Sequence, residues 1–293
     1  MRPPAAEPGA APASAWLVDK PPGPSSHDVV ATARRAVGRG VKVGHAGTLD
    51  PFATGVLVVL VGRATRLTPY LSGLDKTYEA DIRLGAVSAS GDPEGPITET
   101  GTAPAPDALA RALDGLTGPQ RQRVPALAAV KVGGEPLYRR TRRGELVEAP
   151  VRDVVIHGIT LRAGPDRDGV ASITVRCSKG TYIRQLAADI GELLGCGAYC
   201  TALRRTRVGD LPIEEAVAPN AVRAEGGVGL LRALAHLPTR TLTPADAADM
   251  SHGRPIAGDE EGLVALAVDH DLAAVARGAD GVLRPEVVVR VAA

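Results

Sequence analysis

Six consecutive apolar positions, Val56–Val61, stand between Gly55 and Gly62. A run that short, rich in β-branched residues and bounded by glycine, predicts a strand buried on both faces. Thr77–Leu84 alternates instead, with Tyr78, Ala80 and Ile82 on one side, so it predicts a half-buried strand. Upstream, Trp16–Asp19 reads as a short strand that ends in the turn Lys20–Pro24. His27–Val37 places Val29, Val30, Ala33 and Val37 at helical spacing, with Ser25 or Ser26 to cap it and Gly38 near its end. Arg63–Leu71 and Pro106–Leu116 predict further helices. Val151–Leu161 and Val170–Cys177 are strand-like, and Tyr182–Leu194 carries the helical stripe Ile183, Leu186, Ala187, Ile190 and Leu194. Tyr199–Val208 and a helical Val228–Leu234 close a large body. Pro238–Pro244 reads as a linker, and the tail after it holds short strand-like runs, Leu263–Val268 and Val287–Val291. The order predicts a mixed α+β body followed by a small β-rich module.

Length agrees, since 293 residues accommodate one large domain and one small one. Residues 1–13 form a Pro/Ala-rich leader that predicts disorder and lacks the apolar core of a signal peptide; no 18-residue apolar run follows, so membrane spanning is not expected. Three cysteines, Cys177, Cys196 and Cys200, are too few and too odd for a disulfide framework and point to the cytoplasm. Cys196 and Cys200 have no second Cys/His pair at ligand spacing, so no metal is expected. Gly226-Gly227 lacks the strand–turn–helix setting of a nucleotide loop, and no cofactor is implied. The net charge of +1 gives no sign of a polyanionic partner. Locally the picture changes: Arg121, Arg123, Lys131, Arg139, Arg140, Arg142 and Arg143 face one acid, Glu135, between 121 and 143, which makes this stretch the candidate RNA surface.

The segment Gly44-His45-Ala46-Gly47-Thr48-Leu49-Asp50-Pro51-Phe52-Ala53-Thr54-Gly55 carries the chemistry. An Asp before Pro, among glycines that let backbone approach a ligand, suits a carboxylate held at a pocket wall. Taken alone, an Asp-Pro pair caps a turn more often than it attacks a substrate. The whole segment, however, resembles the signature of the TruB family of tRNA pseudouridine synthases, with Asp50 at the nucleophile. Leu17–Pro21 with Ser25-Ser26, Asp75–Tyr78, Arg83–Gly85, Cys177–Arg184 and Leu203–Gly209 match the family in the same order.

The resemblance covers about residues 14–235, implying a pseudouridine synthase fold with a mainly antiparallel sheet flanked by helices. The basic stretch fits a thumb-like insertion over about 121–150, and residues 240–293 look like a PUA-type RNA-binding module. It further implies isomerisation of uridine 55 in the T loop of tRNA, by a monomer that needs no protein partner. Asp50 is then nucleophile, Arg184 its cationic partner, and Tyr78 the residue that stacks on the base and serves a late proton transfer. His45, Tyr182, Leu203, Lys20 and Lys131 fall at substrate-binding positions. The chain departs from the family around Lys131, where Leu127-Ala128-Ala129-Val130 replaces an aromatic and a serine, and in Ser88–Asp92, which keeps Asp92 but lacks a Thr-rich stretch. A guide-RNA-dependent synthase and a tRNA-folding factor are the competing functions; the insertion and the absence of Lys-rich tails speak against the first.

Overall fold

The computed structural model describes residues 12–125, 130–137, 140, 143, 145 and 149–289, without the side chains of Lys131, Val132 and Pro136. Most of the leader, Arg139 and Arg142 therefore lie outside the described residues. In chain order the elements begin with β1 (Ala13–Lys20), α1 (Ser26–Val37), β2 (Val43–Ala46) and β3 (Thr54–Gly62). A 3-10 turn over Arg63–Leu67 leads into α2 (Thr68–Ser72) and β4 (Lys76–Leu84). Next come β5 (Ala86–Ser88), β6 (Ile97–Glu99), α3 (Pro106–Gly115), β7 (Gly118–Arg123), β8 (Lys131–Val132) and β9 (Glu135–Pro136). Then follow β10 (Val151–Ala163), β11 (Val170–Cys177), α4 (Ile183–Leu193), β12 (Ala198–Val208), β13 (Leu211–Pro212) and α5 (Leu230–Ala233). The last are β14 (Thr239–Thr241), α6 (Pro244–Ser251), β15 (Ile256–Ala257), β16 (Gly262–Val268), β17 (Asp271–Ala279) and β18 (Val282–Val288).

Two compact units result. One comprises residues 1–51, 55–74 and 208–293, the other 52–54 and 75–207. In the first, β3 pairs antiparallel with β1, from Ala13 opposite Gly62 to Lys20 opposite Gly55, and with β2. Its side chains alternate between two cores. Leu57, Val59 and Val61 pack with Val29, Val30 and Ala33 of α1, whereas Val56, Val58 and Leu60 pack with Ala265, Leu272, Val275, Val287 and Val289 of the C-terminal strands. Burial on both faces is why the run is continuously apolar. Helix α1 starts with a capping box in which the Ser25 hydroxyl accepts from Asp28 N–H while the Asp28 carboxylate accepts from Ser25 N–H, and it stops at Gly38, φ +106°. The C-terminal sheet has the order β14-β16-β17-β18-β15.

In the second unit the order is β12-β4-β11-β10-β7. β4 and β11 run antiparallel from Lys76 opposite Cys177 to Arg83 opposite Val170, and β10 joins β11 and β7, also antiparallel. α4 packs on β4 and β7, and α3 on β10. β4 alternates strictly between buried and half-buried positions, as its sequence predicts.

Some expectations change. Val43–Ala46, at the start of the glycine-rich segment, is strand rather than loop because it pairs with β3. The expected linker contains β14, which runs parallel to β16. The helix over 228–234 shrinks to α5, since Val228 bridges to Ala15. β17, which the periodicity passes over, lies at the centre of the C-terminal sheet.

Candidate active site

Asp50 lies between two fastened neighbours. The buried Ser26 hydroxyl at the start of α1 accepts from Leu49 N–H (2.9 Å) and donates to Leu49 C=O (3.0 Å). On the other side, Pro51 C=O accepts from Lys20 Nζ (2.9 Å) and Gly23 N–H (2.9 Å). Lys20 has no exposed surface, and its ammonium also donates to Pro21 C=O (3.0 Å). Its position at the end of β1, opposite Gly55, puts it behind the loop, where it holds the loop's backbone. Gly47, φ +96°, supplies the left-handed turn out of β2. The segment thus presents a half-buried carboxylate on backbone tied down one residue before and one after. His45, on β2, is half-buried and meets His27 of α1 edge to face, ring centroids 5.5 Å apart.

Tyr78, Tyr182, Arg184 and Leu203 belong to the other unit. Tyr78 is buried on β4 opposite Val175, and Leu203 is buried on the neighbouring β12, its C=O accepting from the Thr54 hydroxyl (3.4 Å). Tyr182 precedes α4, and Arg184 is that helix's second residue. The Arg184 guanidinium is 3% exposed, and Nη1 donates to Ser90 C=O (2.8 Å) and to the Asp92 carboxylate (3.1 Å). Asp92 is buried too; it accepts from the Ser90 hydroxyl (2.5 Å) and Glu94 N–H (3.1 Å), so the turn between β5 and β6 is built around the carboxylate that orients Arg184.

Two further cations lie along these strands. Lys76 is two residues before Tyr78 and Arg205 two after Leu203, and both are buried. Burial, then the Arg205 charge, pushes the Lys76 ammonium down to about 8. Burial pushes the neighbouring Cys177 thiol up to about 11. Sequence periodicity gives no reason to single out either cation beyond their being charged residues at inward positions of strands.

The basic stretch is thinner than its count implies. Arg143 is held by both Glu135 oxygens (2.6 and 2.8 Å) and by Glu145, and Arg140 also pairs with Glu145 (2.7 Å). Glu145 falls just past the stretch counted in the sequence. Arg121 and Arg123 remain exposed on β7. Lys131 sits in the β8–β9 hairpin, its side chain outside the described residues. Ser26, Asp92 and Gln122, which hydrogen-bonds the Tyr182 backbone, are positioning groups that sequence reasoning did not assign. Ser26 left a trace as a candidate helix cap inside a matched motif, and Asp92 as the residue kept in an otherwise altered stretch; Gln122 left none.

The fold is that of the pseudouridine synthases. A chain in the crystal structure of a Cbf5-Nop10-Gar1 complex superposes with a TM-score of 0.71 at 25% identity, covering 94% of this chain and 85% of that one. An H/ACA RNP bound to a substrate RNA containing 2'-deoxyuridine matches equally well in fold, with a TM-score of 0.71 at 24% identity and coverage of 94% and 84%. Residues 34–183 match the TruB family pseudouridylate synthase N-terminal domain, and residues 184–247 match the tRNA pseudouridylate synthase B C-terminal domain. A protein of Thermobifida fusca named tRNA pseudouridine synthase B is 45% identical over 284 residues, covering 93% of this chain and 97% of that one. One of the same name from Paenarthrobacter aurescens is 45% identical over 249 residues, covering 82% and 80%. The chain belongs to the TruB family of pseudouridylate synthases and is an isomerase.

Proposed function

We propose that this protein converts uridine 55 in the T loop of tRNA to pseudouridine, with Asp50 as the nucleophile. The observation that carries the assignment is the fastening of Leu49 and Pro51, which holds one carboxylate in place without the substrate's help. The reaction breaks the bond from C1' to N1, turns the uracil, and forms the bond from C1' to C5. The C5 proton leaves and N1 gains one, so the change is an isomerisation with no net redox step. Whether Asp50 attacks carbon or draws off a proton to give a glycal, it must be ionised, and a guanidinium favours that form.

In this reading Arg184, aimed by Asp92, is the cation that serves Asp50. Tyr78 stacks on the uracil and assists late proton transfer, while Tyr182 and Leu203 form further walls and His45 fills the place of the extruded nucleotide. Extrusion of the base takes a few kcal/mol of unstacking, which these contacts offset. Lys20 acts through the loop rather than on RNA, consistent with its complete burial. Lys131, Arg121 and Arg123 take phosphates of the T arm. The relatives named for tRNA share 45% identity with the chain, against 25% for the Cbf5 complex, and this favours tRNA over a guide-RNA assembly. The enzyme then works in the cytoplasm as a monomer, with no obligate protein partner.

The test is to treat one unmodified tRNA transcript with the purified protein and map pseudouridine along it. Product at position 55 is expected, together with tRNA binding but no product from Asp50→Asn. Product elsewhere would overturn the substrate; normal turnover by Asp50→Asn would overturn the nucleophile.

A further inference from the structure

Gln122 is the last inward-facing residue of β7, between the exposed Arg121 and Arg123, and it is 4% exposed. An amide buried this deeply on a strand is stable only if its hydrogen-bonding groups find partners. Two of those partners are the backbone groups of one residue: its Oε1 accepts from Tyr182 N–H (2.7 Å), and its Nε2 donates to Tyr182 C=O (3.0 Å), while the side chain also hydrogen-bonds the Asp189 carboxylate further along α4. Tyr182 is the N-cap of α4 in extended conformation, φ −102° and ψ 112°, and its own side chain makes no capping hydrogen bond. The start of the helix is thus fastened from across the sheet, by a residue 60 positions earlier in the chain.

The side chain of Tyr182 is held from the same direction. It packs against the cluster of Val124 and Leu137, which Val130 also joins; Val124 follows β7 directly. Val124 N–H donates to Pro150 C=O (2.9 Å), and Leu137 N–H to Val130 C=O (2.7 Å), so these apolar residues sit on tied backbone. One strand and the segment it leads into therefore control both the main chain and the ring of Tyr182. Arg184 follows two residues later, on the first turn of the same helix.

We propose that Gln122 is a positioning residue for the reaction, gripping the Tyr182 backbone so that the ring and the adjoining Arg184 hold the geometry needed for the chemical step. This rests on the reading of Tyr182 and Arg184 as pocket residues. Gln122 itself touches no RNA, so its removal lowers the rate of bound substrate and leaves capture of tRNA intact. A displacement of about 1 Å in a reacting group can change a rate by roughly a hundredfold.

The experiment measures tRNA affinity by filter binding and the single-turnover rate at saturating enzyme, for the wild type, Gln122→Ala, Tyr182→Ala and the double variant. Gln122→Ala is expected to slow the single-turnover rate by about tenfold or more with affinity unchanged within about twofold. In the Tyr182→Ala background the same change is expected to cost less than in the wild type, because the ring's share has gone while the backbone grip that places Arg184 persists. An unchanged rate, a loss confined to affinity, or effects that simply multiply in the double variant would each overturn the proposal. Should Gln122→Ala fail to fold, Gln122→Met carries the test. It keeps similar length and bulk without charge but can neither accept from Tyr182 N–H nor donate to its carbonyl; a slowed rate at unchanged affinity supports the proposal and a wild-type rate sinks it. A wild type that forms no pseudouridine in tRNA contradicts the proposed function instead, a result separate from any of these.

Discussion

Two buried lysines illustrate what a single residue contributes here. Lys20 donates to the carbonyls of Pro21 and Pro51, so its charge is used to fix backbone beside Asp50. Lys76 lies near Arg205 and has its ammonium pushed down to about 8 from an ordinary 10.5, chiefly by burial. The folded state therefore releases the Lys76 proton earlier than the unfolded chain does, and stability rises with pH from about 8 towards 10.5. Cys177 acts oppositely. Its thiol, raised from 9.0 to about 11, stays protonated when the unfolded chain would ionise, so it lowers stability as pH climbs between those values. The lysine effect is cleanest between pH 8 and 9, where it amounts to about 1 kcal/mol. Urea unfolding at pH 7.5 and 9 should show the wild type gaining stability relative to Lys76→Met across that interval. Parallel behaviour of the two proteins would refute this account of Lys76.

At the scale of elements, the turn between β5 and β6 matters more than its short strands imply, because it delivers Asp92 to Arg184. Asp92→Ala takes the turn's carboxylate from a guanidinium that stays buried, and breaking such a pair costs ~3 kcal/mol or more. Asp92→Asn keeps the shape and an acceptor but no charge, and should fall between alanine and wild type in urea midpoint. Equal midpoints for Asp92→Ala and wild type would show that the pair contributes nothing. Elements of this unit with strong local pattern, β4 and α4, were legible in the sequence, as were α1 and β3 in the other. β2, β14 and β17 were not. β2 is four residues including one glycine and becomes a strand only by pairing with β3; β14 borrows its strand character from β16. β17, Asp271–Ala279, is rich in alanine, which favours helices over strands, so its sheet neighbours decide. The same division runs through the site. Asp50, Tyr78, Tyr182 and Arg184 announced themselves through contiguous motifs. Ser26, Asp92 and Gln122 are ordinary polar residues whose partners lie 23, 92 and 60 positions away, and no local pattern encodes such a bond.

For the whole molecule, the question is whether the C-terminal strands form an appendage or part of the structural body. Sequence pattern predicts a separable β-rich module from residue 240, and the sheet does have a core of its own around Val264, Leu266, Ala274, Ala276 and Leu283. Its other face is committed elsewhere. Leu272, Val275, Val287 and Val289 join Ala15, Leu17, Val56, Val58 and Leu60 in one buried cluster. Polar contacts reinforce this: the Tyr70 hydroxyl donates to Glu286 (2.8 Å), and Arg66 donates to the carbonyls of Glu286 and Val288 (both 3.3 Å). Residues 208–293 accordingly share one compact unit with residues 1–51 and 55–74. Each large apolar side chain removed from that cluster forfeits ~1.5–3 kcal/mol, and four of them approach the 5–15 kcal/mol that stabilises a typical domain. A chain ending at residue 237 is therefore expected to be insoluble or unfolded by circular dichroism, rather than a weaker RNA binder with an intact catalytic body. A gentler version keeps every residue. Leu272→Ala should cost ~2–5 kcal/mol and lower the melting temperature of the unit containing β1 and β3 together with that of the C-terminal sheet. Calorimetry distinguishes the alternatives, since a separate appendage would melt in its own earlier transition and leave the signal from β1 and β3 in place. Hydrogen exchange at Val58 and Leu60 reports the same result locally: faster exchange in Leu272→Ala means one cooperative unit, and unchanged exchange means two.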